Sequence, residues 1–119
     1  MILSTVLVGC SERRAPTDAE LLAGYCFGTA KGWIAMNDKR SKIDSEEFEV
    51  ALKDMRDKMV SSNERLESYL KAKGLSLSDG PIAVAIANGE SDVSRCREQG
   101  GDACGRMNRC ARDKLNAVI

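Results

Sequence analysis

Apolar side chains recur along two long stretches of the chain at alternating intervals of four and three residues, the spacing that gathers them on one side of an α-helix. The first stretch opens after Pro16 with Thr17-Asp18-Ala19-Glu20, a capping box in which the threonine hydroxyl accepts the third amide and the glutamate reaches back. Leu22, Cys26, Thr29, Trp33 and Met36 then form one stripe, with Leu21, Tyr25 and Ala30 beside it. Asn37-Asp38 and the basic residues Lys39, Arg40 and Lys42 predict a loop. A second capping box, Asp44-Ser45-Glu46-Glu47, has Ile43 placed to staple against Phe48. Phe48, Leu52, Met55, Met59, Ser62, Leu66 and Tyr69 carry the stripe onward to Lys71 and Lys73, where Gly74 is the expected C-terminal cap. A helix over 44–73 would be about 45 Å long.

Gly80-Pro81 puts proline at a helix start, and Asn88-Gly89 reads as a stop, so the spacing predicts a short helix over 81–87. That segment is apolar on every side, which suits a buried helix packed across the long one. Beyond Ser91 a helical turn carries Cys96, Gln99-Gly100-Gly101 turns the chain, and Asp102 caps a last helix through Cys104, Met107, Ala111, Leu115 and Val118. The reading is an all-α domain, a small bundle of about four helices built on one long amphipathic helix and stapled by disulfides. The stripe on that helix serves packing within the chain before it serves a dimer seam, since three other helices need covering, and a monomer is expected.

Composition sharpens this picture. In 119 residues there are only 25 Leu, Ile, Val and Phe, and Ile2, Leu3, Val6, Leu7 and Val8 use five of them before Gly9. The core of one small domain is therefore thin and calls for extra constraint. Eighteen cationic and 18 anionic side chains balance to zero net charge, which gives no case for nucleic acid. The basic residues Arg106, Arg109, Arg112 and Lys114 on the last helix are interrupted by Asp102 and Asp113 and lack an aromatic companion. Histidine is absent, and with it the commonest general base and metal ligand.

The N-terminus carries the clearest functional signal. Leu7-Val8-Gly9-Cys10 closes an apolar run, and Ser11-Glu12-Arg13-Arg14-Ala15-Pro16 turns abruptly polar. Nine residues are too few to span a bilayer as a helix, which needs about 20. The segment resembles the lipobox of bacterial lipoproteins, in which the signal peptide is cut before a cysteine whose sulfur has received a diacylglyceryl group. No Lys or Arg precedes the run, so residues 1–9 read as a signal-peptide remnant, 10–17 as lipid attachment and tether, and 18–119 as the helical domain. The seven residues from Ser11 to Thr17 reach about 25 Å at most. The resemblance implies lipidation at Cys10, a membrane-lipid partner, and, because a serine follows the cysteine, an outer-membrane address facing the periplasm.

Four cysteines remain: Cys26, Cys96, Cys104 and Cys110. An even number suits an oxidising compartment, and three pairings are open. Cys96 and Cys104 flank the Gly-Gly turn and are close enough in sequence to pair if the two helical turns run antiparallel, which leaves Cys26 to join Cys110. Cys26 with Cys104 and Cys96 with Cys110 is the next choice. No Cys-x-x-Cys pair favours zinc, and no histidine stands ready to activate a thiol, so neither a metal nor a reactive cysteine is expected. Acid pairs such as Glu46 with Glu47 and Asp54 with Asp57 have Lys or Arg three or four positions away and read as helix surface. Glycine-rich phosphate loops are missing.

A second resemblance covers the whole chain. Leu22-Ala23-Gly24-Tyr25-Cys26-Phe27-Gly28, a later Leu66-Glu67-Ser68-Tyr69-Leu70 and the distal Cys96 are similar to the periplasmic Rap/Tai-type immunity proteins, small helical proteins that neutralise secreted effectors. Cys104, Cys110 and the long charged helix depart from that pattern. The expectation is a non-enzymatic, lipid-anchored envelope protein without a cofactor, offering an interaction domain to an envelope protein partner; the alternative is an immunity protein bound to a toxic effector.

Overall fold

The structure is a computed structural model that describes residues 14–40, 46–111 and 114–116. Among these residues every regular element is helical: α1 (Asp18–Arg40), α2 (Glu46–Ala72), α3 (Gly80–Gln99) and α4 (Asp102–Met107), followed by a 3-10 turn at Asn108–Cys110. The protein is a small all-α bundle. The central position belongs to α1, against which α2, α3 and the 3-10 turn all pack.

The start of α1 follows directly from its sequence. Glu20 N–H donates to Thr17 Oγ1 at 3.1 Å, and Thr17 N–H donates to Glu20 Oε1 at 2.9 Å, so both halves of the capping box are closed. Every residue from Ala23 to Ala30 is buried, all round the helix. One face alone would have been enough for a surface helix; burial on all sides requires small residues where neighbours come closest.

Gly24, Gly28 and Gly32 supply that space on the face toward α3. A Cβ at Gly28 would strike the Ile86 carbonyl, one at Gly89 would strike the Tyr25 carbonyl, and one at Gly32 would lie 2.9 Å from Val93 Cγ2. The two helices therefore run side by side in the same direction at backbone contact distance.

That contact corrects two expectations. The helix expected over 81–87 continues through Asn88-Gly89 to Gln99, and it packs along α1 rather than across the long helix. A glycine inside a helix costs about 1 kcal/mol relative to alanine. Here Gly89 is the residue that admits the α1 backbone, and the packing gained outweighs its low propensity. Nor is the segment buried on every side: Ile82 and Ile86 are 2% and 6% exposed, whereas Val84 is 60% exposed.

Helix α1 also runs past its expected end. Asn37 and Asp38 are helical rather than loop, because Met36 and Asn37 are buried and Asp38 accepts a 2.6 Å hydrogen bond from Arg56 Nε on α2. Tertiary contacts override the weak propensity of Asn and Asp.

On α2, Leu66 and Leu70 are almost wholly buried, while Met55 near its start is 45% exposed. The capping box at Asp44 and its Ile43 to Phe48 staple lie outside the described residues. The other end closes as expected. Gly74 has φ of 75°, Gly74 N–H donates to Lys71 O at 2.9 Å and Leu75 N–H to Leu70 O at 3.2 Å, the paired bonds of a Schellman motif.

The last predicted helix is broken. Gly100 and Gly101 both take positive φ, Asp102 is the first helical residue instead of the cap, and α4 ends at Met107. After the 3-10 turn the backbone at Ala111 is extended, which redirects the chain once Cys110 has reached Cys26. Leu115, 2% exposed, then joins the core cluster that includes Cys26 and Leu66. Val118 lies outside the described residues.

Candidate functional site

The end of the bundle where α1 begins and α2 meets α3 is closed by Arg14. Its Nη1 and Nη2 donate to Glu20 Oε1 and Oε2, both at 2.9 Å, and Nη2 also donates to Lys73 O at 3.1 Å. One guanidinium thus holds the residue that caps α1 and covers a terminal carbonyl of α2. Glu20 is 4% exposed, and the Arg14 guanidinium, aided by the Thr17 amide, holds its carboxyl down at about 2. Residues 14–17, expected to belong to the tether, are therefore fixed to the domain. Beside them an open groove of about 850 Å³ is lined by Arg14, Pro16, Leu75, Asp79 and Pro81. Cys10, the expected lipid site, lies outside the described residues.

The four other cysteines form two disulfides. Cys26 joins Cys110 with Cα atoms 5.4 Å apart, closing 84 residues, and Cys96 joins Cys104 at 4.8 Å, closing 8. This is the pairing that the Gly-Gly turn favours. Both bonds tie down the same short C-terminal segment, which contributes few large buried side chains of its own.

Between the two disulfides lies a polar cluster that sequence reasoning missed. Asp92 on α3 is 3% exposed, and its Oδ2 accepts from Tyr25 Oη at 2.6 Å and from Arg106 Nε at 2.8 Å. Its Oδ1 accepts from Arg106 Nη2, also at 2.8 Å, so the arginine is bidentate. The Arg109 guanidinium lies 6.0 Å from the centre of the Tyr25 ring. Arg106, then the Tyr25 hydroxyl, hold the Asp92 carboxyl at about 2, while burial and the Asp92 charge push the Tyr25 phenol well above its ordinary value. The cluster joins α1, α3 and α4 as a strut.

A pH prediction follows from Glu20 and Asp92. Both have folded values near 2, below their ordinary 4.5 and 3.8, so the folded state binds fewer protons than the unfolded state in that window. Their stabilisation is complete above about pH 5 and lost as pH falls toward 2. Thermal unfolding followed by circular dichroism is expected to give a flat Tm from neutrality to about pH 5 and a falling Tm below it. A Tm that rose on acidification through this range would contradict the assignment.

Elsewhere a smaller cavity of about 230 Å³ lies against the Cys26–Cys110 disulfide, with Trp33, Met59, Leu66 and Met107 among its walls. Tyr25, Cys26, Phe27, Leu66 and Leu70, which carry the resemblance to immunity proteins, are buried core, and Tyr69 packs against it. The buried ones build the fold, and Ser68 among the resembling positions is exposed. No group of three His, Cys, Asp or Glu among the described residues is arranged to hold a metal ion. No helix among the described residues is long and apolar enough to cross a membrane. Comparison with protein-family models, with curated proteins and with solved structures finds no match.

Proposed function

We propose that this chain is a non-enzymatic, lipid-anchored protein of a bacterial cell envelope, held to the membrane through Cys10 and presenting a disulfide-stabilised helical domain to an envelope protein partner. The observation that carries the reading is the division of the cysteines. Cys26, Cys96, Cys104 and Cys110 are consumed in two disulfides, which suits an oxidising compartment, and Cys10 stands apart at the end of Leu7-Val8-Gly9. The polar cluster around Asp92 supports a structural role, since its carboxylate is taken up by hydrogen bonds from Tyr25 and Arg106 that join three helices. The outer membrane, facing the periplasm, is the favoured address, on the strength of Ser11.

The test is the intact mass of the protein expressed in a bacterium with its full upstream reading frame and isolated without reductant. The expected species begins at Cys10, carries a lipid-sized increment on that residue and lacks four hydrogens. Cys10→Ala is expected to lose both the lipid increment and the cut before residue 10, so that the unprocessed chain accumulates. An unmodified, fully reduced chain that keeps Met1 would overturn the proposal.

A further inference from the structure

We infer that the domain stands on the bilayer by the end at which α1 begins and α2 meets α3, with the lipid headgroup layer as the occupant of that surface. The inference rests on the lipid-anchor reading and adds an orientation to it. Its basis is the Arg14 contact with Glu20 and Lys73 O, which fixes the chain to the domain only four residues after Cys10. Four residues span about 14 Å when fully extended, of which about 5–8 Å is used in crossing the headgroup layer. Without that contact the free tether would run on to Thr17 and reach about 25 Å, enough for the domain to turn over.

Charge is not what holds this end to the membrane. Arg14 is committed to Glu20, Lys71 pairs with Glu67 at 3.2 Å, and the Lys73 ammonium lies 5.5 Å from the centre of the Tyr69 ring. Exposed Asp18 and Asp79 lie at the same end and offset the cations. The surface is near neutral, so the acyl group supplies the attachment and the short tether supplies the orientation. Pro81 and the 60% exposed Val84, which share a face of α3 three residues apart, give this end apolar contact suited to the headgroup boundary.

The experiment is lysine footprinting of the mature protein reconstituted in phosphatidylethanolamine–phosphatidylglycerol vesicles, with the chain expressed without residues 1–10, and so without lipid, as reference. Lys71 and Lys73 are expected to react several-fold more slowly on vesicles. Lys53 and Lys58, which are exposed and lie toward the other end of α2, are expected to be unchanged; Lys53 is about 27 Å from Lys71 along the helix. Arg14→Ala, with the lipid retained, is expected to restore the reactivity of Lys71 and Lys73. Uniform labelling of protein whose mass shows the lipid, or protection of Lys53 and Lys58 instead, would overturn the orientation and leave the anchor standing. Absence of the lipid from Cys10 would overturn both.

Discussion

Gly28→Ala is expected to destabilise the domain by about 2 kcal/mol or more, although alanine is the better helix former by about 1 kcal/mol. The substitution sets these two effects against each other. The added methyl group would meet the Ile86 carbonyl oxygen and carbon, which belong to backbone and cannot rotate away. Relief requires α1 and α3 to separate along their length, which loosens Ile82, Ile86 and Val93 from the core. Gly89→Ala is expected to behave alike, since its methyl group would meet the Tyr25 carbonyl. The double variant should cost less than the sum, because helices already parted accommodate both methyl groups. Gly24→Ala is the control. Its nearest neighbours are Ala85 Cβ and Ile82 Cγ2, both at 3.4 Å, so the propensity gain prevails and stability should rise by about 0.5–1 kcal/mol. Urea unfolding followed by circular dichroism separates the cases. Gly28→Ala as stable as the parent would mean that the two backbones do not approach this closely.

The same glycines mark the limit of reading structure from this sequence. Local signals were legible: Thr17 and Glu20 close a box within three residues, and Gly74 ends α2 through bonds to residues just before it. The all-α class and the pairing across the Gly-Gly turn also follow from short-range spacing. Asn88-Gly89 misleads because its local preference is to stop a helix, whereas its fate is decided by Tyr25 and Thr29 on another helix. The available clue was Gly24, Gly28 and Gly32 at four-residue intervals, a strip without side chains along which another helix can approach closely. Asp92 misleads for a related reason: a lone carboxylate in a charged sequence reads as surface until Tyr25 and Arg106 arrive from distant positions. Arg14 looks like tether because one of its partners, Lys73 O, is 59 residues away.

The second large effect is expected at the disulfides, and its size should distinguish them. Chain-entropy reasoning gives a stabilisation that grows with the loop closed: about 4.5 kcal/mol for the 84-residue Cys26–Cys110 loop and about 2.5 kcal/mol for the 8-residue Cys96–Cys104 loop. Total stability of a domain is about 5–15 kcal/mol, and a core this poor in large apolar side chains belongs near the lower bound. Cys26→Ala with Cys110→Ala is therefore expected to leave the chain largely unfolded at 37 °C. Cys96→Ala with Cys104→Ala should remain folded with a lowered Tm. Structure adds to the difference, because the long-range bond joins the buried centre of α1 to the segment that carries Leu115 into the core. The shorter bond only reinforces a turn that Gly100 and Gly101 already form. Paired substitutions avoid a stray thiol that would scramble the remaining bond. Equal losses from the two double variants would mean that the unfolded chain stays compact enough for loop length to be irrelevant. A larger loss from the Cys96–Cys104 pair would place the weight of the fold in the α3–α4 turn instead of in the link from α1 to the C-terminal segment.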